Sequence, residues 1–171
     1  MLHKPHHSEI PDFQQTYIDK TPDDIIPFLV DQKLEFINLI DLLDEEKLDY
    51  CYEENKWSLR EVIMHINDTE QIFAYRALAI HRGEKQVLPG FDQDEYMNNT
   101  SFNHLDKNHL SDLFDSLRNT SIHFFNSIRE NEWTLTGKIS DYSMPLYAMP
   151  YMIGGHLEHH LRIIKERYIS L

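Results

Sequence analysis

The sequence is short of cysteine, glycine and positive charge, and it has no long apolar run. A single cysteine, Cys51, excludes an internal disulfide, so the fold needs no oxidising compartment. Cys51 lies in the acidic stretch DYCYEEN, which opposes thiolate formation, and it reads as structural. Five glycines leave little room for phosphate-cradling loops, and neither GxxxxGK[ST] nor GxGxxG occurs. Sixteen Lys and Arg stand against 29 Asp and Glu, a net charge of −13. That balance argues against nucleic acid and anionic membranes as partners, since both attract clustered cations. No stretch of 18 apolar residues is present, and the first residues, MLHKPHHSEIPDF, lack the apolar centre of a secretion signal. A cytoplasmic location is the expectation.

What is present is the composition of one globular domain: 171 residues, 41% hydrophobic and 26% charged. Residues 1–20 are polar, carry two prolines and show no sustained period, which predicts an arm lying on the body. Residues 21–171 form the expected domain, with helical periodicity in four segments. The first opens on Thr21-Pro22-Asp23-Asp24 as cap and first turn, with Ile26, Leu29, Val30, Leu34, Ile37, Ile40 and Leu43 as its stripe. In the second, Ser58 and Glu61 form a capping box, Val62, His65, Ile66, Thr69, Phe73 and Ala77 share a face, and Gly83 is the stop. The third starts near Asp106 and uses Leu110, Phe114, Leu117, Phe125 and Ile128. The fourth follows Pro145 or Pro150 and runs through His156, His160 and Ile164 to Arg167. A long polar connection separates the second and third segments, and WTLTGKISDYSMPLYAMP, before the fourth, holds a short extended stretch. The expected fold is all-α, a four-helix bundle, an architecture that often houses metal or cofactor sites in its core.

The fourth segment contains GGHLEHH. His156 and His160 are four apart and so stack on one helix face, shared with Met149, Met152 and Ile153. His159 points elsewhere, and Glu158 falls on the opposite side, where solvent is expected. Two readings of the pair stand: imidazoles bonded to nearby carbonyls or solvent, or half of a metal site. His65, in the apolar stripe of another helix, weighs toward the second, because core histidines need partners and three of them can share a cation. Tyr142, Tyr147 and Tyr151, with Met144 and Met149, cover the end of the bundle or line a substrate mouth or dimer contact.

NKWSLREVIMHINDTEQIFAYRALAI resembles the second-helix motif of the DinB/YfiT superfamily, and MIGGHLEHHLRII is similar to its fourth-helix motif. The resemblance spans about residues 22 to 168. It implies an up-down-down-up bundle holding a divalent metal, zinc or nickel, on His65, His156 and His160. The chain departs from some members in having LRII after His160 rather than a further histidine or an RGQ turn. For activity the resemblance implies either hydrolysis or transfer of a low-molecular-weight thiol of the bacillithiol or mycothiol kind to a small-molecule substrate.

Three neutral nitrogen ligands leave an ion its full charge and open positions, the pattern of a chemical rather than a closed structural site. Glu61, four residues before His65, and Asp68, three after it, share its face, and each is either a carboxylate serving that site or an ordinary cap and a solvated acid. The competing expectation is a non-catalytic, stress-response type of bundle in which the ion only stabilises packing. A homodimer is expected by analogy with other small bundles.

Overall fold

The computed structural model describes residues 2–169. A short helix α1 (Asp12–Ile18) precedes α2 (Ile25–Asp41) and α3 (Leu59–His81). Then come a second short helix α4 (Gln93–Asn99), α5 (Lys107–Asn126), the strands β1 (Thr136–Ile139) and β2 (Tyr142–Pro145), and α6 (Met149–Ile163). A π-helical segment, Ile164–Ile169, prolongs α6.

The long helices are α2, α3, α5 and α6, and their contacts fix their directions. Phe36 meets Phe114 while Lys33 meets Asp115, so α2 and α5 run antiparallel. Trp57 takes the Tyr168 hydroxyl and His65 meets His156, so α3 and α6 are antiparallel as well. Asn67 bonds the Leu110 carbonyl and Glu70 pairs with Arg118, which makes α3 parallel to α5. Gln32 bonds the Gly154 carbonyl and Glu35 pairs with Lys165, which makes α2 parallel to α6. The order is therefore up-down-down-up, as the resemblance implies.

Local chemistry sets the boundaries. The Ser58–Glu61 capping box forms, with Glu61 Oε2 accepting from Ser58 N at 2.7 Å, and Gly83 ends the helix at φ +75°. Asp106 caps α5 by accepting from His109 N at 2.8 Å. The first long helix differs from expectation: it begins at Ile25, and the Thr21 hydroxyl instead bonds back to the Ile18 carbonyl at 2.7 Å. Its stripe is also rotated. Ile25, Leu29, Gln32, Phe36 and Ile40 face inward, while Val30 and Leu34 are exposed, because Gln32 is held in the core by other helices.

The expected extended stretch is a hairpin, pairing Thr136 with Pro145 and Ile139 with Tyr142. Leu88 bridges to Ile139, with Leu88 N to Lys138 O and Ser140 N to Leu88 O both at 2.9 Å. These bonds tie the long connection to the hairpin at one end of the bundle. The two glycines of α6 let other helices approach its middle. A Cβ at Gly155 would lie 2.1 Å from the Tyr17 carbonyl oxygen, so α1 packs directly on α6.

Candidate metal centre

His65 comes from the middle of α3, His156 and His160 from successive turns of α6. Because these helices are antiparallel neighbours, the three rings converge. One ring nitrogen from each lies within 4.8 Å of the others, with His65 Nε2 and His156 Nε2 only 3.0 Å apart. His65 and His156 are buried and His160 half-buried. Aromatic rings steady the imidazoles: Trp57 lies 5.0 Å from His65 and Phe73 6.0 Å from His156, centroid to centroid.

Burial is the main reason these histidines resist protonation. It pushes His65 down to about 4, helped by the positive charge His159 can carry. His156 and His160 are held well below the ordinary histidine value, first by burial and then by repulsion among neighbouring imidazoles. Near neutral pH all three are therefore neutral, with one ring nitrogen of each gathered within 4.8 Å of the others. Three neutral imidazoles are a donor set that suits a divalent transition ion.

The cluster stands between two cavities. An inner one of about 240 Å³ is walled by His65 and His156 together with Tyr17, Thr69, Phe73 and Arg76. An outer one of about 800 Å³ is walled by His160 with Tyr52, Lys56, Trp57, Glu61 and Asp94. Gln93, at the start of α4, touches both. The long connection carries Gly90, Phe91 and Gln93 into the inner wall.

Glu61 thus shares the outer cavity with His160. Its Oε2 is committed to Ser58 N and Oγ, which leaves Oε1 for a ligand. Asp68 is half-buried and lines neither cavity, and its burial raises its pKa. His159 is outside the cluster, edge-on to Tyr17 at 5.5 Å and beside His160. Glu158 corrects the expectation of a solvated acid: it is half-buried and accepts from Gln32 Nε2 at 3.2 Å.

That bond is the edge of a polar network the sequence did not disclose. Arg118 of α5, fully buried, makes a bidentate pair with Glu70 of α3 at 3.1 and 3.0 Å. Its Nη1 donates to Gln32 Oε1 of α2 at 3.1 Å, and Gln32 Nε2 donates to the Gly154 carbonyl of α6 at 3.0 Å. All four long helices meet in this network, which reaches α6 two residues before His156. A polar residue in the stripe masked it, although Arg118 is spaced four from both Phe114 and Ile122.

The fold agrees with what is similar to this chain. Residues 31–164 match the family model of the DinB superfamily, and the chain belongs to that superfamily. None of the curated proteins is similar enough in sequence to count as a relative. Among solved structures it is similar to YfiT from Bacillus subtilis, described as a probable metal-dependent hydrolase with an unusual four-helix bundle topology. That likeness has a TM-score of 0.73 at 15% identity and covers 96% of this chain and 90% of YfiT. A mycothiol-dependent maleylpyruvate isomerase gives 0.68 at 12% identity, over 91% of this chain and 64% of the isomerase. The DinB-like protein YjoA of Bacillus subtilis gives 0.59 at 15% identity, over 84% and 88%. At these identities the likeness carries the fold.

Proposed function

We propose that His65, His156 and His160 hold one divalent ion, zinc or nickel, and that the protein transfers a low-molecular-weight thiol to a small electrophile. The observation that carries this reading is the position of the three histidines between two separate cavities, since a transfer needs room for two reactants. The enzyme descriptions attached to YfiT and to the mycothiol-dependent isomerase support metal and thiol chemistry respectively.

A divalent ion held there would supply a Lewis acid, lowering the pKa of a bound water toward about 7 and favouring the thiolate form of a bound thiol. The chain's own residues do the rest. The outer cavity, with Lys56, Glu61 and Asp94, suits a polar, sugar-like thiol, and the smaller, aromatic inner cavity takes the electrophile. Glu61 Oε1 accepts the thiol proton. A sulfur–carbon bond forms as the bond from that carbon to its leaving group breaks, and the proton passes from Glu61 to the leaving group. Trp57 and Phe73, against His65 and His156, keep the imidazoles oriented and exclude water. Asp68, on the same helix, is the second carboxylate proposed to support the site, acting through the position of α3.

The test incubates metal-loaded protein with bacillithiol, mycothiol or cysteine and a panel of electrophiles, and follows conjugate by mass. Conjugate above the protein-free rate, lost in His160→Ala and reduced in Glu61→Gln by about 10²-fold or more, is the expected result. Ester or amide cleavage without thiol dependence would replace transfer by hydrolysis. Neither activity, with loss of the ion unfolding the protein, would make the ion structural.

A further inference from the structure

The described residues include three buried arginines, and they differ in one respect. Arg60 has Asp49 at 3.0 Å, and Arg118 has Glu70 at 3.0 Å. Arg76, only 5% exposed, has no carboxylate partner among the described residues. Its Nη2 donates to the Pro89 carbonyl at 2.7 Å, and its guanidinium sits 5.6 Å from the centre of the Phe73 ring and 5.7 Å from that of Phe91. Those contacts hold the group in place without neutralising it, and a buried charge without a counter-charge is costly.

Arg76 lines the inner cavity, and so do two residues that each carry a buried polar atom without a hydrogen-bond partner among the described residues. The atoms are Gln14 Oε1 and Thr69 Oγ1, on residues 4% and 1% exposed. The other end of the Gln14 amide is bonded to the Tyr142 hydroxyl at 3.1 Å, so whichever way the amide is turned one polar end is left for the cavity. Among the described residues the cavity wall contains no aspartate or glutamate, in a chain with 29 of them. An unpaired guanidinium, an orphaned hydroxyl and a wall free of acids among the described residues together describe the receptor of an anion.

We propose that Arg76, assisted by Thr69, binds a carboxylate of the reactant in the inner cavity, so that the electrophile is a small organic acid. This rests on reading the inner cavity as the electrophile's chamber. The planar guanidinium fork matches a carboxylate in two parallel bonds, Thr69 Oγ donates to one carboxylate oxygen, and the Gln14 amide bonds a further polar group of the acid. A volume of about 240 Å³ limits the acid to a few carbons or one ring. With its carboxylate on Arg76, the other end of the molecule points to the wall made by His65 and His156.

The test compares acids with their neutral amides: benzoate with benzamide, and succinate with succinamide. Binding is measured by calorimetry on wild type, Arg76→Gln, Arg76→Lys and Thr69→Val, each metal-loaded and chelator-stripped. Both wild-type forms should bind the acids about tenfold or more tighter than the amides. Arg76→Gln should abolish that preference while binding the amides unchanged, Arg76→Lys should keep part of it, and Thr69→Val should weaken acid binding. If Arg76→Gln does not fold, the acid–amide comparison on stripped wild type and on Thr69→Val decides. Equal binding of acid and amide, binding of neither, or a preference that survives Arg76→Gln would overturn the subsite. A preference that disappears on stripping would also overturn it and leave the metal reading standing. A preference in protein that takes up no metal would keep the subsite and remove the metal reading.

Discussion

Arg118 and Arg76 show how much a single residue's surroundings decide. Both are buried on long helices, but Arg118 is satisfied by Glu70, Gln32 and the Leu29 carbonyl, whereas Arg76 faces a cavity. Arg118→Met leaves Glu70 as an unpaired buried carboxylate and should destabilise the fold by about 3–5 kcal/mol. Adding Glu70→Leu removes the stranded charge and should recover part of the loss, read from the midpoints of urea unfolding. His65 was legible in the sequence because a histidine inside an apolar stripe needs a partner. Arg118 and Gln32 were not, because the same logic treats a polar residue as a break in the stripe. Gln14 sits four residues from both buried Ile10 and buried Ile18, a spacing that could have exposed it.

At the scale of elements, the four long helices and most of their caps follow from period and punctuation, and the hairpin from one extended stretch. The short helices α1 and α4 leave weaker traces, since seven residues make too few turns for a periodic signal. Yet α1 supplies Gln14 and Tyr17 to the inner cavity, and it is held by the absence of a side chain at Gly155. Gly155→Ala drives a methyl into the rigid backbone at Tyr17 and should cost about 1–3 kcal/mol while loosening α1. Gly154→Ala meets only the side-chain ends of Leu29, Ile25 and Phe28, at 3.1 to 3.3 Å, and should be milder. Hydrogen exchange of the amides of Asp12–Ile18 separates the two: faster in Gly155→Ala, near wild type in Gly154→Ala.

For the whole molecule, the up-down-down-up order brings α3 beside α6, and with them the two ends of a site whose histidines lie 91 residues apart. No helix among the described residues is long and apolar enough to cross a membrane. The neutral histidines of the cluster link stability to pH. Their folded pKa values lie below that of the unfolded chain, near 6.5, so the unfolded chain takes up protons first as the pH falls. Metal-free protein should hold its full contribution from these groups above about pH 6.5 and lose it toward pH 4, where His65 itself is protonated. Thermal unfolding of chelator-treated protein across that range reads this directly, and the melting temperature should rise with added zinc or nickel.

The central claim is one shared ion on His65, His156 and His160, and elemental analysis of untagged protein purified without added metal tests it most directly. Wild type should carry one zinc or nickel ion per chain, and folded His65→Ala and His160→Ala should each carry essentially none. No ion in wild type even after incubation with zinc and nickel, or an ion retained in full by both variants, would contradict it.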